Sequence, residues 1–259
     1  MTQQERCLWL IRELLKEMPQ YRDTPIPAHP QRRWQLLRGL MNVRLPMPVT
    51  EAFCRNQDAF LQQMTREKGI VDAEELPACP GDERLVLWQG DITTLKCDAI
   101  VNAANSQMLG CFSPCHGCID NIIHTMAGVQ LRLACDRLMR AQGHEEPTGR
   151  AKITPGFNLP ARNVLHTVGP IIFDVVTPED EALLASCYRS CLELAVKHDC
   201  SSIAFCCIST GVFRFPADLA AQIAVRTVKD CLEKGSGIRR VIFNVFKDSD
   251  LAIYQQLLS

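Results

Sequence analysis

Apolar positions in the first third of the chain fall at helical spacing. Leu8, Leu10, Ile11, Leu14 and Leu15 share one face of a segment that Pro19 closes. The same period returns after Pro30, where Trp34, Leu36, Leu37 and Leu40 mark a second helix over Arg32 to Met41. A third helix is predicted from Thr50 to about Lys68, with Thr50 as its cap and Phe53, Phe60, Leu61 and Met64 on its buried face. Proline-rich connectors, Thr24 to Pro30 and Leu45 to Pro48, separate the three. No catalytic constellation occurs among them, so this region reads as a docking or lid module.

The grammar changes near residues 80–86. Pro77 to Arg84 reads as a linker, dividing the chain into a helical extension over 1–80 and a second unit over 81–259. In that unit short apolar runs alternate with helical stretches. Strands are predicted at Leu85–Trp88, Ala99–Val101, Val164–Val168, Ser202–Ile208 and Arg240–Val245, and helices at Ile119–Met139, Pro178–His198 and Pro216–Glu233. Such alternation predicts an α/β fold, a sheet covered by helices on both faces. Ligands of these sheets bind beyond the carboxyl ends of the strands, where Gly90-Asp91, Asn102–Asn105 and Ser209–Phe213 all fall.

Composition narrows the function classes. With 47% hydrophobic and 22% charged residues the 259-residue chain reads as an ordinary soluble globular protein. A net charge of −1 offers no footprint for a polyanion, so nucleic acid is not an expected partner. No run of about 18 apolar residues suggests a membrane span, and the charged N-terminus is unlike a secretory signal. The fourteen cysteines are scattered, several inside apolar runs (Cys187, Cys191, Cys206, Cys207), and read mostly as small buried hydrophobes in a reducing cytoplasm.

One group of cysteines stands apart. Gly110-Cys-Phe-Ser-Pro-Cys-His-Gly-Cys118 brings Cys111, His116 and Cys118 within eight residues, beside the acid Asp120. Two thiolates and an imidazole are ligand chemistry suited to zinc, and three ligands leave one position open, as catalytic sites do. Cys115 as a fourth ligand would close the site, although its place next to His116 makes joint ligation awkward. His124, four residues after Asp120 and on its helical face, either orients the acid or packs in the core; His166 reads as a core residue. Asp91 is suited to accept from an exocyclic amine such as adenine's, or to cap a turn. Asn102 and Asn105 suit ribose hydroxyls or backbone groups at a strand end. Ser209-Thr-Gly-Val-Phe213 is either a cradle of backbone N–H groups for a diphosphate or an ordinary turn.

The order of these segments is informative. Gln-Gly-Asp-Ile-Thr93, Ile-Val-Asn-Ala-Ala-Asn105, His-Thr-Val-Gly-Pro170 and Ser-Thr-Gly-Val-Phe213 together resemble the macrodomain family of ADP-ribose-binding modules, over about residues 85–259. The resemblance implies a three-layer α/β/α fold with a mixed central sheet. It implies that Asp91 and Ile92 recognise adenine, that Ser209, Thr210, Gly211, Val212 and Phe213 wrap the diphosphate, and that Asn105 lies at the distal ribose. Where many hydrolytic macrodomains carry a glycine-rich loop, residues 110–118 resemble the zinc-dependent subclass of microbial protein-ADP-ribose hydrolases. That places Cys111, His116 and Cys118 in a zinc pattern and Asp120 as the loop acid facing the distal ribose. Arg214 stands where other macrodomains often have glycine. The implied activity is removal of mono-ADP-ribose from proteins, through ester links to Asp or Glu, with Zn2+ as cofactor and Asp120 and Asn105 as catalytic residues. A lipoyl-carrier protein resembling the glycine-cleavage H protein is the partner associated with the subclass. The competing readings are a non-catalytic reader of ADP-ribose with a structural zinc loop, and a redox sensor in which Cys111, Cys115 and Cys118 expel zinc on oxidation.

Overall fold

The structure is a computed structural model and describes residues 1–235 and 237–259. Helix α1 (Gln3–Glu17) starts at Thr2, whose hydroxyl accepts from the Glu5 amide while the Glu5 carboxylate accepts from the Thr2 amide. Helix α2 (Pro30–Val43) begins on a proline, and α3 (Glu51–Lys68) is capped by Thr50 as expected. Their apolar faces meet in a small core of Leu10, Ile11, Leu14, Leu37, Leu40, Phe53, Phe60 and Leu61. Trp34 and Met64 pack on this core and on the main one.

The strands are β1 (Val71–Asp72), β2 (Leu85–Gln89), β3 (Leu95–Lys96), β4 (Ala99–Ala104), β5 (Ala151–Pro155), β6 (Asn163–Val168), β7 (Ser202–Phe205) and β8 (Arg240–Val245). β1 and β3 pair in parallel. The others form one sheet in the order β2-β8-β7-β4-β6-β5, parallel throughout except for β5 on β6. The sheet is therefore mixed, as expected. Helices α4 (Ile119–Ala127), α5 (Val129–Gln142), α6 (Pro178–Lys197), α7 (Ala217–Glu233) and α8 (Asp248–Leu258) flank it.

The sequence pattern does not predict β1, β3, β5 or α8, and two of the elements it does predict are interrupted or cut short. The single helix predicted over Ile119–Met139 is broken at Gly128, whose φ is +95°. A Cβ there would lie 2.6 Å from the Gln57 side-chain nitrogen. Gln57, on α3, uses its oxygen to accept from the Val129 amide at 2.9 Å, satisfying the first turn of α5. The apolar period runs through the break because both halves face the main core, with Ile123, Met126, Leu131 and Cys135 buried.

The strand predicted over Ser202–Ile208 ends at Phe205. β7 pairs with β4 only at Ile203 and Ala204, whereas β4 stays paired with β6 as far as Ala104. The two strands part above that point, and a crevice opens at their carboxyl ends. Gly169, just after β6, faces the chain that leaves β7: a Cβ on it would overlap Ser209 Oγ and lie 2.9 Å from Ile208 Cγ2. Gly169→Ala is accordingly expected to destabilise the fold by about 1–3 kcal/mol through overpacking. Thermal melting reads this, and an unchanged midpoint would contradict the close approach.

Candidate functional site

The crevice encloses about 980 Å3, the size of a nucleotide-scale site. At one end Asp91 follows β2 and caps a short turn over Ile92–Thr94. Thr93 donates to its Oδ1 through both the amide (3.0 Å) and the hydroxyl (2.6 Å), and Lys68 Nζ donates to Oδ2 at 2.8 Å. Burial opposes ionisation of Asp91, but the hydrogen bonds from Lys68 and Thr93 outweigh it and hold the carboxyl below its ordinary value. Oδ2 keeps a lone pair for a donor in the crevice. Ile92 is buried beside it.

The residues after β7 build the middle of the crevice. Ser209 and Arg214 both take positive φ, 65° and 60°, and turn the chain back on itself. Bonds from the Phe215 amide to Ser209 O (3.0 Å) and the Arg214 amide to Gly211 O (3.1 Å) close the loop. Among the described residues, the amides of Gly211, Val212 and Phe213 donate to no backbone carbonyl, and α7 begins a few residues further on. Free backbone N–H groups beside a helix N-terminus attract phosphate. Ser209 Oγ is buried without a partner. Ser209, Thr210, Gly211, Val212 and Phe213 all line the crevice.

Register sets the other end. The pairing of β4 with β6 places Asn102 opposite His166, and the Asn102 amide nitrogen sits 3.2 Å from His166 Nδ1. It also donates to Asp120 Oδ1 at 2.8 Å. Asn102 is fully buried and does not reach the crevice; it holds Asp120 from beneath. Asn105 does line the crevice, and its nitrogen lies 3.2 Å from Gly110 O and 3.4 Å from Asp120 Oδ2. Asp120, in the first turn of α4, forms part of the floor. Burial pushes its carboxyl up to about 6, against the opposing pull of the Asn102 hydrogen bond.

His124 packs behind the acid. Its Nε2 is 3.5 Å from Asp120 Oδ1, but burial pushes the imidazole well below its ordinary value, so this is contact with a neutral ring and not an ion pair. A Cβ on Gly110 would come 2.8 Å from the His124 ring, which is why the loop needs glycine there. His166 is a core residue, with Thr154 Oγ1 2.9 Å from its Nε2.

Residues 110–118 run from the crevice wall into α4. The ligand atoms of Cys111, His116 and Cys118 lie within 4.8 Å of one another, with Cys111 Sγ 3.8 Å from His116 Nδ1. Metal–ligand distances of about 2.0–2.3 Å in a tetrahedron put such atoms about 3.3–3.8 Å apart, so this donor set fits zinc. Burial, with Cys111 alongside, pushes the Cys118 thiol up to about 11; a bound cation reverses that and deprotonates coordinating thiols. Cys115, at a φ of +55°, turns its thiol to the Gln35 carbonyl of α2 at 3.3 Å and stands outside the group. A second triplet, His124, Cys135 and His166, has similar spacing. It is fully buried, its His166 nitrogens face Asn102 and Thr154, and burial pushes the Cys135 thiol up to about 12, so it reads as core packing.

Sequence reasoning missed one wall. Trp34 and Arg38 of α2 and Met64 and Lys68 of α3 also line the crevice. The pattern marks Trp34 and Met64 only as apolar-face residues and leaves Arg38 and Lys68 looking like ordinary solvated positions.

A crevice where two parallel strands part, floored by an acid and rimmed by free amides, belongs to the nucleotide-binding α/β modules. Within that class the chain belongs to the macrodomain family; the Macro domain model matches residues 101–224. A protein-ADP-ribose hydrolase of Treponema medium is 55% identical, over 100% of each chain. One from Staphylococcus aureus (strain MSSA476) is 49% identical, over 97% of this chain and 94% of its own. The Trypanosoma brucei macrodomain solved in complex with ADP-ribose superposes with a TM-score of 0.67 at 31% identity, covering 90% of this chain and 97% of that one.

Proposed function

We propose that this chain is a zinc-dependent hydrolase that removes mono-ADP-ribose from modified protein side chains, with esters of Asp and Glu as the linkage. The observation that carries the reading is Asp120, buried in the crevice floor two residues past Cys118, where Cys111, His116 and Cys118 converge. The names of the relatives, at 55% and 49% identity over nearly their whole length, support protein-ADP-ribose hydrolysis.

Each residue then has a task. Asp91 accepts from the adenine amine while Ile92 packs beside the base. The amides of Gly211, Val212 and Phe213, with Ser209 and Thr210, hold the diphosphate. Asn105 orients the distal ribose and the face of Asp120. Asp120, poised near pH 6, either takes the proton of the attacking water or fixes a ribose hydroxyl, and a value near the working pH favours general-base action. Asn102 keeps its carboxylate turned to the crevice. Cys111, His116 and Cys118 would hold zinc, which supplies a Lewis acid that polarises an oxygen of the substrate or water. The thiol of Cys115, bonded to Gln35, favours three protein ligands and an open position over a closed structural site.

The test is metal content followed by turnover. Elemental analysis of the purified protein is expected to give one zinc per chain, and release of ADP-ribose from an ester-modified protein should cease on chelation and return with zinc. A modified lipoyl carrier resembling the glycine-cleavage H protein is the first substrate to try. Undiminished turnover in chelated protein would sink the zinc reading, and ADP-ribose binding without release from any modified protein would make the chain a reader. We also place the enzyme in the cytoplasm, because its many buried free thiols suit a reducing compartment. No helix among the described residues is long and apolar enough to cross a membrane.

A further inference from the structure

Residues 111–118 have no regular secondary structure, so something else must fix three ligand side chains at their spacing. Within the loop a single backbone bond, from the His116 amide to Ser113 O at 3.2 Å, supports the turn. The Cys118 amide also reaches His116 Nδ1 at 3.4 Å, and most of the remaining support comes from outside the loop. Asn121 donates to the carbonyls of Cys111 (3.3 Å) and Ser113 (2.9 Å), and its own amide donates to Cys118 Sγ at 3.4 Å. One residue therefore touches the Cys111 backbone and the Cys118 thiol.

The orientation of that residue is set from α2. Arg38 Nη2 donates to Asn121 Oδ1 at 2.8 Å and to the His116 carbonyl at 2.7 Å. A guanidinium can only donate, so it meets the oxygen of the Asn121 amide and turns the amide nitrogen to the loop carbonyls. Four residues along α2, Asn42 Oδ1 accepts from the Cys115 amide at 2.9 Å, while its nitrogen donates to Thr125 Oγ1 on α4. The Cys115 thiol meets Gln35 O of the same helix. Contacts from α2 thus reach the loop at Cys115, at His116 and, through Asn121, at Cys111.

We propose that α2 clamps the ligand loop, with Arg38 and Asn42 as positioning residues that hold Cys111, His116 and Cys118 ready for a metal ion through the His116 carbonyl, the Cys115 amide and Asn121. The N-terminal helices are then part of the metal centre's support. This rests on the metal reading of the three ligands given above. Hydrogen-bond partners that orient ligands, without touching the metal, typically contribute about 10–100-fold to affinity.

The experiment uses the full chain. Zinc affinity is measured by competition with a chromophoric chelator for the parent, Arg38→Met and Asn42→Ala, and the cobalt-substituted proteins are compared by visible absorption. ADP binding is measured alongside on Asn42→Ala, whose side chain does not line the crevice, as a report on the fold. Both variants are expected to bind zinc about 10–100-fold more weakly and to show an altered cobalt spectrum, and Asn42→Ala to bind ADP as the parent does. Arg38→Lys, which keeps a donor, should recover part of the affinity. Variants that hold zinc as tightly as the parent overturn the clamp. Parallel loss of zinc and ADP binding by Asn42→Ala overturns it too, since that marks a general role in folding. A parent chain that takes up no zinc removes the metal reading itself, and the clamp with it.

Discussion

Replacing Asp120 by asparagine is expected to lower turnover of an ADP-ribosylated protein by about 10²–10⁴-fold, the usual contribution of a positioned general base. The substitution is nearly isosteric, and the new amide oxygen could still accept from Asn102, which reaches Asp120 Oδ1 at 2.8 Å. ADP affinity should therefore hold. The same change should stabilise the metal-free fold at neutral pH. Folding raises the carboxyl from 3.8 to about 6, so the native state binds the proton more tightly. The stability linked to that proton is complete below about pH 4 and is lost as pH rises through about 6. An amide carries no such penalty, and the gain at pH 7 is on the order of 3 kcal/mol. Slower turnover with a higher melting temperature is the combined signature. Turnover close to that of the parent, with ADP binding intact, would remove Asp120 from the chemistry.

Arg132→Met is expected to have the largest effect on stability. Arg132 is 4% exposed, yet it lies among backbone carbonyls with no carboxylate bonded to it. Nε donates to Leu109 O at 2.7 Å, Nη1 donates to Met41 O at 3.1 Å and to Arg44 O, and the guanidinium carbon lies 4.2 Å from the centre of the Phe112 ring. Burial pushes its pKa down to about 10, which leaves it charged at neutral pH. Methionine retains much of the volume but leaves three acceptors without their donor. At about 1–3 kcal/mol per buried unsatisfied group, partly offset by removing a desolvated charge, the loss should be about 3–5 kcal/mol. For a chain of this size that lowers the melting temperature by on the order of 10 °C. Because Leu109 flanks the loop and Phe112 lies within it, weaker binding of the proposed zinc should accompany the loss. A melting point like the parent's would show that water replaces the guanidinium without cost.

The residues that were legible in the sequence sit at strand ends. Asp91, Asn105 and Ser209–Phe213 follow short apolar runs, and the rule that ligands meet parallel strands at their carboxyl ends brings them together without knowledge of the packing. The convergence of Cys111, His116 and Cys118 was legible because two thiols and an imidazole so close in sequence suit a single cation. Asn102 was harder to read. The sequence pattern ends the strand at Val101, but β4 continues to Ala104, and its register with β6 sends the Asn102 side chain beneath Asp120 and away from the crevice. The break at Gly128 was invisible because the apolar period continues across it, and Gln57, 72 residues away from Val129, supplies the missing cap. β5 carries a proline and little alternation, and its edge position on β6 comes from the tertiary fold. Arg38, Asn42 and Lys68 stand on amphipathic helices where polar residues normally face water, and only their distant partners distinguish them.

Arg38 and Asn121 are 83 residues apart in sequence, with the helix first and the loop second. A ribosome therefore releases α2 well before it releases the cysteines, and α1, α2 and α3 can already settle on their shared apolar core. When residues 111–118 emerge, Arg38 and Asn42 already precede them, and Asn121 follows directly after. The interval in which two thiols and an imidazole meet stray cations or oxidants without neighbours is shortened simply by the order of the chain. A circular permutant that places residues 30–43 after the loop would keep every contact and lose that order.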